Sequence, residues 1–493
     1  MPTDRLAPDE ARVAAGDLVR DLLARAPAAL ELDGVNLAPA LEQQLFFALR
    51  DGFDPRPIRT PAVVRRAIDL GTVAGALGVA MVPRQLPDVG PDPIVAIIRQ
   101  PARMSILAPI EAALEQLGGG SLAIARVARA VQSGPDGPRS VRLADLLDPR
   151  VMPGVARYVA RLGASLASAR NGRGSTFAGP HESMLDAIAS RELPRIALGT
   201  AALESLVRRW HPSLLVAFDE VGTWSRIIPA VARARGVPSL NLPHAEAAVA
   251  VAIAGADYDR FAVFGPRAAD VLQAAGIDPG RIIQIGAPHF DGLVLRPAPP
   301  AESMIAASPR RILVAAQYLQ GLMTTAGLEA CYRAALAAAA AVAPAEVVVV
   351  PHPLQPRGLI EGIVAGSADP PGVTVRVEHA QGLHALIDGA WLLVTGWSNS
   401  VFEAALRRVP SIMVDPEHVS PVSYAAEGLA IGVFTATAAA DAARALLDPG
   451  FREATLGRAA AALTQHLGPL DGRSSERAAQ LILSMSGRGG MPS

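Results

Sequence analysis

The sequence contains no lysine, so every one of its 45 basic side chains is arginine. Schiff-base catalysis and the phosphate-binding P-loop both need a lysine and are therefore excluded. Cysteine is almost absent too, because Cys331 is the only one and lies in an alanine-rich helical stretch. A single cysteine excludes a disulfide framework and a cysteine-based zinc site, and this one is predicted to pack in a core.

Long apolar runs are also lacking. The longest, at 247–254 and 334–343, are shorter than the roughly 20 residues that a membrane-spanning helix needs. The first residues are charged and include no apolar segment, so we expect no signal peptide, a cytoplasmic location and at most peripheral membrane association. The formal net charge of -1 provides no overall attraction to nucleic acid, which we do not expect as a partner.

The length and composition predict more than one folded domain. The chain has 493 residues, whereas single hydrophobic cores rarely grow beyond about 250–300 residues. Hydrophobic residues make up 51% and charged residues 18%, which is enough apolar material for large buried cores.

Hydrophobic periodicity divides the chain into three parts. Residues 1–92 show helical spacing and are predicted to form a helical N-terminal extension. After them, short apolar runs alternate with amphipathic stretches, most clearly in the β-α-β unit at 212–242, which implies parallel strands. A proline-rich linker at 296–300 separates a Rossmann-like domain at 93–297 from a second one at 308–486. The predicted fold class is α/β, with two doubly wound domains facing a cleft and ligand bound at the strands' carboxyl ends.

His352 is the first candidate functional residue. It follows the predicted strand 347–350 and lies between Pro351 and Pro353, which restrict the backbone and do not suit a helix interior. At the carboxyl end of a strand, an imidazole can reach a phosphate or a leaving group. The alternative is a turn histidine bonded to backbone, which is our interpretation of His211, since that residue precedes a strand.

A second polar cluster follows the predicted strand 391–395. Hydroxyls and free backbone N–H groups at the start of a helix can bind an anion. Ser400 and Glu403 also have the spacing of a capping box, and Glu403 could instead bind ribose hydroxyls. The candidate donor-binding residues here are Gly396, Ser398, Asn399, Ser400 and Glu403.

Candidate bases lie in the first half. Asp219 and Glu220 follow the predicted strand 214–218 and could deprotonate an acceptor hydroxyl, or could be ordinary loop carboxylates. His244, after the next strand, competes for the same role. Gln317, after the first strand of the second domain, is a further candidate for lining the donor site.

Metal and redox cofactors are not expected. The nine histidines are dispersed, and no Asp-x-Asp triple stands at the end of a predicted strand. No GxGxxG follows the first strand of either domain, which argues against a nicotinamide or flavin enzyme.

The second half resembles the bacterial GT-B transferases of surface-glycan assembly, particularly sialyltransferase-like and polysialyltransferase-like enzymes and CDP-glycerol glycerophosphotransferases. The resemblance covers about residues 94–486 and rests on the His-Pro strand end at 350–353 and the later serine pair at 395–400. Residues 219–222 are similar to the acidic motif of sialyltransferases. Residues 470–477 are similar to the tail before the last helix, which in GT-B enzymes returns to the first domain.

The resemblance implies a GT-B fold and transfer of a sugar from a nucleotide-activated donor. His352 would contact the donor phosphate and assist the leaving nucleotide, Ser398 and Ser400 would bind the same phosphate, and Asp219 would be the base. We expect an inverting, metal-independent glycosyltransferase with no cofactor apart from its nucleotide-sugar co-substrate. A CMP-linked, sialic-acid-like nonulosonate is one candidate donor. The acceptor would be a glycan, a lipid-linked glycan or a protein.

Two alternatives remain open. A UDP-sugar 2-epimerase shares the two-domain plan and needs no acceptor. A non-catalytic GT-B-like binding subunit is the other, because Val221 interrupts the acidic motif and Asn399 splits the serine pair. The N-terminal extension could recognise the acceptor or serve homodimerisation.

Overall fold

A computed structural model of the chain divides it into two compact units. Unit 1 comprises Met1–Val263, Ala269–Ile285 and Ser475–Ser493, and unit 2 comprises Phe264–Ala268 and Gly286–Ser474. The structure describes residues 7–51, 75–78, 80–81, 86–98, 104–127, 139–171, 180–218, 221–245, 250–298, 308–316, 323–352, 355–356, 358–380, 382–418, 420, 422 and 424–488.

The N-terminal segment is a pair of helices joined by a small hairpin. Its elements are α1 (Pro8–Arg25), β1 (Glu31–Leu32), β2 (Val35–Asn36) and α2 (Ala38–Asp51). The helical spacing did not predict the hairpin, whose turn uses Gly34 at a φ of 82°. The apolar faces of the helices pack together, and Leu18, Leu22 and Leu45 are at most 2% exposed. This segment is part of unit 1.

The core of unit 1 is a seven-stranded parallel sheet in the order β5-β4-β3-β6-β7-β8-β9. The interior strand β3 is buried along its whole length because helices cover both faces of a parallel sheet. In chain order the elements are β3 (Ile94–Ile98), α3 (Met104–Gln116), β4 (Ala123–Arg126), β5 (Ser140–Arg142), α4 (Met152–Asn171), α5 (Pro180–Trp210), β6 (Leu214–Ala217), α6 (Trp224–Arg235), β7 (Ser239–Asn241), α7 (Ala250–Ile253), β8 (Arg260–Val263), α8 (Pro266–Ala274) and β9 (Ile282–Gln284).

Unit 2 has a six-stranded parallel sheet in the order β12-β11-β10-β13-β14-β15. The chain moves outward from β10 in one direction and then restarts at β13 on its other side, so the switch point lies between β10 and β13. In chain order the elements are α9 (Asp291–Leu295), β10 (Arg310–Ala315), α10 (Thr325–Ala341), β11 (Ala345–Val350), α11 (Leu359–Ala365), β12 (Val373–Val377), α12 (Leu383–Leu386), β13 (Leu392–Thr395), α13 (Ser400–Leu406), β14 (Ser411–Val414), β15 (Ile431–Val433), α14 (Ala436–Ala445) and α15 (Pro449–Leu467).

The last helix, α16 (Ser474–Met485), packs with the first sheet. Its apolar residues Ala478, Ala479 and Ile482 are fully buried in the core of unit 1. Residues 475–486, which the sequence assigned to the second domain, therefore belong to unit 1, because their apolar face is buried there. Among the described residues no helix is both long enough and apolar enough to cross a membrane.

One buried arginine fixes the start of unit 2. Arg407, just after α13, is 1% exposed and its guanidinium bonds three backbone carbonyls of the predicted linker region. The distances are 3.4 Å to Leu293, 2.6 Å to Arg296 and 2.6 Å to Pro297. Its Nε also donates to Asp388 at 2.5 Å. Residues 293–297 are thus bound to unit 2 rather than forming a free connection.

We predict that Arg407→Met lowers the free energy of unfolding by about 3 kcal/mol, because it leaves the carbonyls of Leu293, Arg296 and Pro297 without this donor and removes one of the two arginines paired with Asp388. The measurement is urea denaturation followed by circular dichroism. Arg408→Met is the matched control, because Arg408 forms an exposed pair with Glu453 and its loss should cost less than about 1 kcal/mol. Equal losses in the two variants would contradict the role assigned to Arg407.

Candidate functional site

A cavity of about 520 Å³ lies in unit 2 at the carboxyl ends of β10 and β11, beside the start of α13. Parallel strands bring their carboxyl ends to one edge of the sheet, and the switch point leaves room there for a ligand. The predicted residues that the structure brings together around this cavity are His352, Ser398, Asn399, Ser400 and Glu403.

His352 enters the cavity because β11 stops directly before it. Pro351 has no N–H to continue the ladder, so the chain leaves the sheet and turns at His352. The turn is closed by Gln355, whose N–H donates to the His352 carbonyl at 2.9 Å, while its side-chain oxygen accepts from the His352 N–H at 3.4 Å. Burial lowers the pKa of the His352 imidazole, so near neutral pH it is uncharged and donates a single N–H.

The serine cluster follows the fully buried strand β13. Ser398 Oγ accepts from the Ser400 N–H at 3.2 Å, and Asn399 Oδ1 accepts from the Tyr424 hydroxyl at 2.7 Å. Ser400 is 5% exposed, and its Oγ has no hydrogen-bond partner among the described residues. Leaving a buried hydroxyl unbonded costs free energy. This hydroxyl lines a cavity large enough to hold a ligand, and an oxygen of that ligand could accept its hydrogen bond.

The predicted capping box is wrong. Asn399, not Ser400, is the N-cap of α13, and the Asn399 side chain does not cap the helix. Glu403 does not return to the start of the helix, because Glu403 Oε1 lies 3.1 Å from Nε2 of His384, a residue that the sequence analysis missed. The hydrogen bond with Glu403 raises the pKa of His384, and the second carboxylate oxygen of Glu403 is buried without a partner among the described residues.

Carboxylates line the part of the cavity near β12. Glu361 pairs with His379 at 2.8 Å, and Glu378 pairs with Arg376 at 2.6 Å. Neither pair was predicted, because no sequence motif indicates that these side chains meet in the folded chain. Carboxylate oxygens accept hydrogen bonds from hydroxyl groups, so this part suits a hydroxyl-bearing ligand.

The remaining predicted residues lie elsewhere. Gly396 lines a neighbouring apolar cavity of about 20 Å³ together with Cys331, whose thiol is buried and has its pKa raised to about 12 by burial. His244 follows β7 in unit 1 and is half-buried. The candidates Asp219, Glu220, Gln317 and Pro353 fall outside the described residues. In the described part of the chain no three His, Cys, Asp or Glu side chains are grouped to hold a metal ion.

The fold is similar to solved structures of nucleotide-sugar enzymes. No protein-family model matches the sequence, and no curated protein matches it significantly. A structure described as a UDP-N-acetylglucosamine 2-epimerase from Listeria monocytogenes aligns with a TM-score of 0.52 and 16% identity, over 82% of this chain and 99% of that chain. The complex of S. aureus MnaA with UDP aligns with a TM-score of 0.52 and 15% identity, over 81% of this chain and 98% of that chain.

A third similar structure is the UDP-GlcNAc 2-epimerase of Methanocaldococcus jannaschii in complex with UDP-GlcNAc and UDP. Its TM-score is 0.50 at 13% identity, over 79% of this chain and 99% of that chain. Identities this low establish the fold alone. The prediction of two Rossmann-like parallel-sheet domains of GT-B type is confirmed. The narrower resemblance to sialyltransferases and CDP-glycerol enzymes remains a prediction.

We predict that Glu403→Gln lowers the pKa of His384, because the carboxylate that favours the imidazolium is removed. In the wild type the folded-state pKa lies above the ordinary value of 6.5. The pair therefore stabilises the folded chain below pH 6.5, and this contribution disappears as the pH rises through the raised pKa. NMR titration of ¹³C-labelled histidine measures the pKa, with His384→Gln identifying the signal.

The control is Glu361→Gln, which removes the carboxylate of the other imidazole pair at this cavity. It should leave the His384 titration unchanged. A His384 pKa that does not move in Glu403→Gln would show that Glu403 does not set its protonation.

Proposed function

We propose that the chain is a nucleotide-sugar enzyme of the UDP-sugar 2-epimerase type, with the nucleotide's diphosphate bound in the cavity of unit 2. His352, Ser398 and Ser400 would donate hydrogen bonds to the phosphate oxygens. Glu403 and the carboxylates near β12 would accept hydrogen bonds from the hydroxyls of the ribose or the sugar. The observation that carries this proposal is the buried Ser400 hydroxyl, unbonded among the described residues, beside His352 and Ser398 in one cavity.

The size and position of the cavity support a small-molecule ligand. A volume of about 520 Å³ falls within the roughly 300–1,000 Å³ typical of ligand pockets. The position at the strands' carboxyl ends beside a switch point is where doubly wound sheets bind nucleotides. MnaA was solved with UDP and the M. jannaschii enzyme with UDP-GlcNAc and UDP, on the same fold.

The chemistry needs no redox cofactor. When the bond between C1 and the phosphate oxygen breaks, its electron pair leaves with the nucleotide, and loss of the C2 proton to a base turns the C2–H electron pair into a C1=C2 double bond. Addition of a proton to the opposite face of C2 and of the nucleotide oxygen to C1 then breaks this double bond and inverts C2. The neutral His352 would donate its N–H to the departing phosphate, a form of transition-state stabilisation that is strongest in a water-poor site. Asp219, Glu220 and His244 remain the candidate bases.

We predict that the wild-type protein, given UDP-GlcNAc alone in D₂O, forms the C2 epimer and incorporates deuterium at C2. Proton NMR of the sugar measures both events without an acceptor. A denatured sample is the blank. An unchanged C2 proton after prolonged incubation would contradict the epimerase assignment.

Glycosyl transfer is the second candidate, favoured by His352 at its strand end and by the split serine pair, which line the cavity. In this case UDP, or CMP from a CMP-linked donor, would be released only when an acceptor is present. The two candidates share the phosphate site. Epimerisation exchanges the C2 proton without an acceptor, whereas glycosyl transfer needs an acceptor and leaves C2 unchanged, so the D₂O experiment distinguishes them.

We predict that Ser400→Ala weakens UDP binding about tenfold or more, because a hydrogen bond to a charged phosphate is lost. His352→Ala should weaken it as well. Isothermal titration with UDP, and then CMP, CDP and GDP, measures affinity and base preference.

Ser411→Ala is the matched control. Ser411 is 2% exposed, and its hydroxyl is likewise unpartnered among the described residues, but it lies at the amino end of β14. UDP affinity should be unchanged in this variant. Equal UDP affinity in Ser400→Ala and the wild type would show that the diphosphate does not bind in this cavity.

A further inference from the structure

Gln43 of helix α2 is a fully buried amide with partners on four other segments of unit 1, which are α1, the loop before α6, α6 itself and α7. Its Nε2 donates to the carbonyls of Val221 and Ala252, the latter at 3.1 Å. Its Oε1 accepts from Arg12 Nη2 and Arg226 Nη2, each at 2.9 Å. A polar side chain in an apolar interior is stable only when bonded in this way, so the amide fixes the segments that it joins.

The first of these segments is the loop between β6 and α6. Beside the bond from Gln43 to Val221, the neighbouring Gln44 donates to the hydroxyl of Thr223. Within the loop, the Ser225 hydroxyl donates to the Gly222 carbonyl. Residues 221–225 are therefore held by two consecutive glutamines of the N-terminal segment.

The second segment is the end of α7. Arg226 Nη2 bonds the Ala254 carbonyl at 2.7 Å and lies 3.2 Å from those of Ala252 and Ile253. Arg226 is 3% exposed and also binds Gln43, so the same amide holds both segments. The carbonyls at the end of a helix have no partner inside it, and Arg226 and Gln43 supply one.

These two segments flank the loops that carry the candidate bases, since 221–225 follows Glu220 and α7 follows the loop of His244. β6 and β7 are neighbours, with Ala217 paired to Asn241 at their carboxyl ends. Asp219 and Glu220 precede Val221 directly in the sequence, and His244 lies between β7 and α7. Gln43 therefore bonds the residue that directly follows Glu220 and the short helix that follows the loop containing His244.

We propose that Gln43 is a positioning residue, through which the N-terminal helices fix residues 221–225 and 252–254, the described segments that flank the loops of the candidate bases. The N-terminal segment then acts on the surroundings of the candidate bases and is not only an appended module. The catalytic side of this inference rests on the proposed function, because the bases belong to that reaction, whereas the positioning of the loops does not depend on it.

The decisive variant is Gln43→Glu. The carboxylate keeps an acceptor for Arg12 and Arg226, so the packing of the helices is retained. It loses both N–H donors and places negative charge against the carbonyls of Val221 and Ala252. We expect amide hydrogen exchange to accelerate several-fold in peptides covering 221–225 and 250–254. We also expect kcat to fall by roughly tenfold to a hundredfold, with the KM and the UDP affinity of unit 2 within about twofold of the wild type.

Tyr158→Phe is the matched control. The Tyr158 hydroxyl, 1% exposed, donates to the Ala29 carbonyl at 2.7 Å and so binds the N-terminal segment at a place away from both loops. This variant should lose about as much free energy of unfolding as Gln43→Glu. It should nevertheless keep the wild-type exchange rates in the two peptides and the wild-type kcat. Gln43→Leu removes every bond of the amide. It should therefore raise exchange in the two peptides and lower kcat more than Gln43→Glu does.

Wild-type exchange at 221–225 and 250–254 in Gln43→Glu overturns the inference, whatever the reaction. Raised exchange with an unchanged kcat overturns its catalytic part. If the wild-type protein neither binds UDP nor converts UDP-GlcNAc while exchange rises in Gln43→Glu, the proposed function is wrong and the positioning of the loops by Gln43 is supported.

Discussion

A buried polar side chain that lacks a partner costs a few kcal/mol, so bonds made inside the protein are strongly favoured. The positions of several segments follow from this constraint. Gln43 joins α2 to the loop before α6 and to α7, and Arg407 holds the backbone at 293–297. Each binds chain segments far apart in the sequence, with directional bonds that the apolar contacts around them do not supply. The interior polar groups therefore determine loop positions that hydrophobic packing alone would leave variable.

The absence of lysine is consistent with the way buried side chains bond backbone carbonyls in this protein. A guanidinium has five donors in a planar fork and can bond several carbonyls at once, which an ammonium on a flexible stem does less well. Arg226 and Arg407 both use this property at helix or loop ends. Arg452, 2% exposed, donates to the Trp391 carbonyl and lies 5.1 Å from its ring, and burial lowers its pKa to about 10. In this chain arginine is the buried cation that organises backbone ends.

The sequence predicted the sheets well because hydrophobic periodicity is a local signal. The unit at 212–242 appears as β6, α6 and β7, with boundaries shifted by a residue or two. The strand-end rule also placed His352 and Ser400 at one cavity. It failed where partners are chosen by long-range geometry. Glu403 has the spacing of a capping carboxylate, but its side chain forms a charge-assisted hydrogen bond with His384 instead of capping the helix. Nothing in the neighbourhood of Gln43 in the sequence marks it as buried, since its partners come from α1, the loop before α6, α6 and α7.

The charges around the unit 2 cavity also restrict how a nucleotide sugar could lie there. A diphosphate carries negative charge and would be repelled by Glu361, Glu378 and Glu403, even though each of these has a cationic or imidazole neighbour. Ser398, Ser400 and the neutral His352 carry no negative charge and can donate hydrogen bonds. In the proposed function the diphosphate therefore belongs beside these three residues, and the ligand's hydroxyls belong beside the carboxylates. Because His384 holds one oxygen of Glu403, the other oxygen keeps a fixed direction from which to accept a hydroxyl.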